Sequence, residues 1–172
     1  MKKLMNRKGF TLVELLAVIV ILAVIILVAM NAVIPQMQNA RKGAFKTEVE
    51  TFAKAAETYF STQALSNPSI LTTGGCVTVE DLKAGYVNKS DDNYVGVACI
   101  VGDDIYLALT SGAYVYDGRV TGLNSDQLDK MIEESADRVT AIKSAKTVQA
   151  RYYDIDEDKF VTDEGVTVPS LD

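Results

Sequence analysis

The chain has 172 residues with 17 basic and 23 acidic side chains, no histidine, and a formal charge of -6. Length limits it to one domain plus a membrane segment. The missing histidine removes the usual general base and zinc ligand, and the acidic balance argues against a nucleic-acid sleeve, which needs clustered Lys and Arg. Lys2, Lys3, Arg7 and Lys8 precede any acid, so from Phe10 onward 13 basic residues face 23 acidic ones, a balance of -10. Positive charge ahead of an apolar span predicts a cytoplasmic N-terminus. Leu15 to Met30 is an unbroken apolar run, long enough with its flanks to cross a membrane. It is too long for a secretory signal core, and Val28-Ala29-Met30-Asn31-Ala32 offers no good small-x-small exit. A plain signal anchor accounts for the span but not for Glu14 at its head, because a carboxylate in hydrocarbon is costly and needs a partner. Cutting the chain after Gly9 would give Phe10 a cationic amine. A neighbouring copy shifted along the axis could bring that amine to Glu14.

Lys8-Gly9-Phe10-Thr11-Leu12-Val13-Glu14-Leu15-Leu16 resembles the processing site of type IV pilins and pseudopilins. The resemblance implies cleavage between Gly9 and Phe10 by a prepilin peptidase, N-methylation of Phe10, and an assembly role for Glu14. It further implies polymerisation with itself and minor pilins, a cytoplasmic assembly ATPase and a membrane platform protein. The chain would begin as a single-pass protein of the inner or cytoplasmic membrane and end in a filament at the cell surface. The family often has Gly or Pro within this helix where Ala23 and Asn31 stand here, and its own proline comes later, at Pro35.

Pro35 lacks an N–H for the Asn31 carbonyl, which predicts a bend without ending the helix. From Gln36 to Leu65, Phe45, Val49, Phe52, Ala56 and Tyr59/Phe60 recur at helical spacing, a stripe seeking a sheet. Ser66-Asn67-Pro68 stops this helix. Residues 66–93 read as a connection holding one short helix, Thr78–Gly85, capped by its threonine. Tyr94–Val101, Ile105–Thr110 and Ala113–Tyr116, with Asp117-Gly118 as a turn into Arg119–Thr121, predict an antiparallel meander. Ser125 is expected to cap a helix over Asp126–Val139, and Thr147–Ile155 with Lys159–Thr167 could form a hairpin. The organisation is therefore a leader at 1–9, an apolar assembly helix at 10–35, its amphipathic continuation at 36–65 and a head at 66–172. The fold class is α+β, a long N-terminal helix packed on an antiparallel sheet.

Cys76 and Cys99 match neither a CxxC redox site nor a four-ligand zinc site. On an oxidising exterior they read as one disulfide, with two buried thiols as the alternative. Asp154, Asp156 and Asp158 alternate like the start of a calcium loop, but Lys159 stands where glycine is expected and Gly165 where the bidentate acid belongs. A solvated acidic turn is the main reading, with calcium the one cofactor considered. Tyr106, Tyr114, Tyr116, Tyr152 and Tyr153 read as half-buried sheet residues. No nucleophile elbow or P-loop is present, so no enzyme is expected. The expected function is a structural filament subunit for adhesion, motility or colonisation. A pseudopilin of type II secretion or DNA uptake is the first alternative, and a single-span binding domain that never polymerises the second.

Overall fold

A computed structural model describes residues 10–87 and 93–171, so Gly9 and the leader lie outside it. Helix α1 runs from Leu12 to Ser66 and continues through Pro35. The chain divides into two compact units, one ending at Arg41 and the other beginning at Lys42. Within the first, α1 is long and apolar enough to cross a membrane, and its apolar side chains are exposed throughout.

In the second unit, α2 (Ile70–Thr73) leads to β1 (Gly75–Thr78), α3 (Val79–Gly85), β2 (Val95–Val101), β3 (Asp104–Thr110) and β4 (Tyr114–Arg119). Helix α4 (Ser125–Met131), β5 (Glu133–Glu134), α5 (Ala136–Lys143), β6 (Arg151–Asp154) and β7 (Lys159–Thr162) complete it. Strands β1 to β5 pair in sequence order as one antiparallel sheet, and β6 and β7 form a separate hairpin. Gly102, at φ +63°, supplies the left-handed residue of the tight β2–β3 turn.

The predicted stripe of α1 is the one that packs. Phe45, Val49, Phe52, Ala56 and Phe60 are buried against Ile100, Ile105, Leu107, Leu109 and Tyr116. Alternate side chains of the same strands, Val97, Cys99, Tyr106, Ala108 and Val115, enter a second cluster with Val139, Ile142 and Val148. The sheet is thus covered on both faces, which explains why Ile105 to Leu109 are buried without interruption.

Three expectations fail in this unit. Asp117-Gly118 is not a turn, because β4 runs straight through both residues. Gly118 is needed for space there, since an added Cβ would lie 2.3 Å from Met131 Cε and 2.5 Å from the Arg151 carbonyl oxygen. The connection after Ser66 contains an edge strand, β1, hidden by its Gly, Thr and Cys content.

The expected helix over Asp126–Val139 is broken into α4, β5 and α5. Met131 and Ile132 bury on the α1 side of the sheet, whereas Val139 and Ile142 bury on the other. One helix cannot serve both faces, so the chain passes the sheet edge as β5. Local caps make the break affordable. Asn124, rather than Ser125, forms a capping box with Gln127 at α4, and Ser135 Oγ accepts from Arg138 N to start α5.

Candidate functional site

The site implied by the N-terminal resemblance is the start of α1. Phe10 is 85% exposed. Thr11 N and Thr11 Oγ1 donate to Glu14 Oε2 at 2.9 and 2.8 Å, and Glu14 N donates to Thr11 Oγ1 at 3.3 Å. These reciprocal bonds form a capping box that satisfies two otherwise orphaned donors at the helix start. The Thr-x-x-Glu spacing of Thr11 and Glu14 is the sequence signature of such a box. Among the described residues Glu14 thus has a local hydrogen-bond partner but no cation. Its other oxygen, Oε1, makes no hydrogen bond among the described residues. Immediately beyond it begins the exposed apolar face, from Leu15 onward.

In the head, Cys76 and Cys99 form a disulfide, facing each other directly in the β1–β2 register. It fastens the edge strand, and the Pro169 carbonyl oxygen lies 3.1 Å from Cys76 Sγ, so the C-terminal segment rests on the same place. With a sequence separation of 23, the bridge restricts the unfolded chain and should contribute about 3–4 kcal/mol. We expect Cys76→Ala/Cys99→Ala to remain folded but to lose stability by that amount in urea titration; an unchanged midpoint would contradict it.

A charged network ties β4, β5, α5 and β6 together behind the sheet. Arg138 grips both Glu133 oxygens at 2.6 and 2.7 Å and reaches Asp117 Oδ2 at 2.8 Å. Asp117 Oδ1 accepts from Gln149 N, and Arg151 Nη2 donates to Glu133 at 3.0 Å. Burial raises the Asp117 carboxyl above its ordinary range, outweighing the Gln149 hydrogen bond and the two arginines. Burial also works upward on Glu133, but the hydrogen bonds and charges of Arg138 and Arg151 hold it below the usual range.

The stability that Glu133 contributes is therefore present above about pH 4.5 and lost as pH falls further. Asp117 contributes the opposite slope, its ionisation cost being relieved as pH falls. Arg138→Met removes the cation and should cost about 3 kcal/mol at pH 7.5, the lower end for a broken buried pair because Arg138 is partly exposed. The cost should shrink as pH falls and Asp117, whose carboxyl burial holds above its ordinary range, takes up a proton, which chemical denaturation at pH 7.5 and at an acidic pH would measure. An equal cost at both would refute the assignment.

The acidic turn is bonded within the chain. Asp154 Oδ1 accepts from the backbone of Asp156 and Glu157, while Asp158 accepts from the Tyr153 hydroxyl and pairs with Lys130. Among the described residues no group of three or more acids or cysteines is arranged to hold a metal ion. Tyr106, Tyr114, Tyr116 and Tyr153 are more buried than expected and belong to the core, whereas Tyr152 is half-buried under Arg119.

Residues 4–30 match the prokaryotic N-terminal methylation motif. The match supports a processing signal of the kind that type IV pilins and pseudopilins carry. No curated protein and no solved structure gives a match to the chain. The pilin-like architecture of a long apolar helix and antiparallel sheet agrees with that signal. Motif and helix together support a membrane-anchored, pilin-like precursor, and the motif implies a prepilin peptidase and pilus-type assembly machinery in general.

Proposed function

We propose that the chain is the subunit of a surface filament of the type IV pilus kind. It is cleaved between Gly9 and Phe10, N-methylated on Phe10 and polymerised through the apolar half of α1. The observation that carries the reading is the juxtaposition of the methylation motif with an entirely exposed apolar helix headed by Glu14. An apolar surface of that length is stable only in lipid or against other copies of itself. In the membrane it is lipid-covered; in the filament, neighbouring helices replace lipid and the Phe10 amine of one copy neutralises Glu14 of another. Calcium has no part in this reading.

A pseudopilin would use the same N-terminal residues, so the two differ in where the polymer extends. Mass spectrometry of material sheared from cells is the test. We expect a mature chain beginning at N-methylated Phe10. An assembled protein retaining Met1 would overturn both readings, and an uncleaved chain that stays in the membrane would favour the single-span binding domain.

A further inference from the structure

Beside the stripe that packs on its own sheet, α1 presents a second one. Glu50, Lys54, Glu57 and Ser61 follow one another along the helix and form one wall of an open groove of about 700 Å³. The β2–β3 turn, with Asp103, and the start of α4 form the other wall, and Ala53, Ala64, Leu71 and Leu123 present accessible apolar surface between them, above the core residues Ile100, Ile105 and Leu128. The groove therefore has an apolar interior and three carboxylates against one lysine. Among the described residues none of Glu50, Glu57 and Asp103 makes an ion pair.

The same helix carries the complementary charge. Between Glu14 and Glu48 its charged residues are Arg41, Lys42 and Lys46, all basic. Lys42 is held by Asp129 and Lys46 by Ser125 within the chain, whereas Arg41 is exposed and makes no ion pair among the described residues. Met37, one turn away on the same side, is 46% exposed.

We propose that the groove receives the Met37–Ala44 stretch of α1 from a second copy, with Arg41 between Glu50 and Glu57 and Met37 against the apolar interior. This rests on the filament reading and assigns one of its lateral contacts. At 1.5 Å per residue, a parallel copy advanced by roughly 14–24 Å brings Arg41 to Glu50 or Glu57. The copies are parallel and the contact joins different surfaces of each, so it is heterologous, and because every step adds the same axial rise it repeats without closing. It also offers acidic heads a place of attraction, where the rest of their surface repels.

Two measurements on the full-length chain test this in a strain whose wild-type protein forms filaments. Ser61→Cys should react with maleimide in detergent-dispersed subunits and at least tenfold more slowly in intact filaments. Equal labelling in both would overturn the proposal, since the groove would then be open or filled by something other than a copy. Arg41→Glu should lower filament yield at least tenfold, and adding Glu57→Arg should restore most of it. Protection of Ser61→Cys without that rescue would assign the groove to another part of the neighbour and equally overturn the occupant named here. Absence of filaments from the wild-type chain would be a failure of the filament reading instead.

Discussion

Glu14→Ala and Glu14→Gln should both abolish filaments while leaving the precursor inserted and its head folded. The carboxylate lies at the start of α1, in a different compact unit from the head, so folding beyond Lys42 should be indifferent to it. Loss of charge should even ease the subunit's residence in lipid. On the filament reading, what disappears is the partner of a neighbour's Phe10 amine, which leaves that cation unpaired among the packed helices. The capping box makes the pair of substitutions informative. Glutamine can keep the bonds to Thr11 that alanine loses, because Gln serves at this position of the motif as well as Glu does. If Glu14 mattered only as a cap, Glu14→Gln would assemble normally. Electron microscopy of sheared filaments, beside a membrane-fraction blot for processing, separates the outcomes. Normal filaments from the glutamine variant would refute charge neutralisation.

Gly96→Ala is expected to be the most damaging single change in the head. Gly96 lies opposite Leu109 in the β2–β3 pair, and an added Cβ would stand 1.9 Å from the Ala108 carbonyl oxygen. That atom is backbone in the middle of the sheet, so relief requires the central strands to separate. We expect a loss above about 4 kcal/mol, in the range reserved for strained backbone and overpacked cores. Gly43→Ala is the matched control. It lies in α1 with nothing near its added Cβ and should stabilise by up to about 1 kcal/mol. Denaturant titration of both variants reads the contrast, and a mild Gly96→Ala would mean the strand pairing is looser than described.

Much of the head was legible because its signals are local. The stripe on α1 follows helical spacing, so Phe45, Val49, Phe52, Ala56 and Phe60 could be named as core before their sheet was seen. Thr78 caps α3 as expected, with its Oγ1 accepting from Asp81 N. The hairpin around Asp156-Glu157-Asp158 is present, though with shorter strands than expected. The misses share a cause. Gly118 reads as a turn residue because glycine usually grants conformational freedom, whereas here it makes room for Met131 and Arg151, which are distant in sequence. Residues 126–139 read as one helix because their periodicity is continuous, and only the two-sided sheet requires them to divide. The Asp117–Arg138–Glu133–Arg151 network joins residues spread over 34 positions and leaves no periodic trace.

The sequence by itself determined the character of the N-terminus, since a methylation motif and a carboxylate before an apolar run need no tertiary context to be recognised. It also determined α1, whose apolar run and amphipathic continuation are properties of spacing along one helix. The tertiary structure alone decided which residues of the head meet across the sheet: that Cys76 lies opposite Cys99, that α4 and α5 cover different faces, and that an acidic groove opens beside α1. Those features depend on strand register and on the packing of distant segments, and neither is encoded in any stretch short enough to read alone.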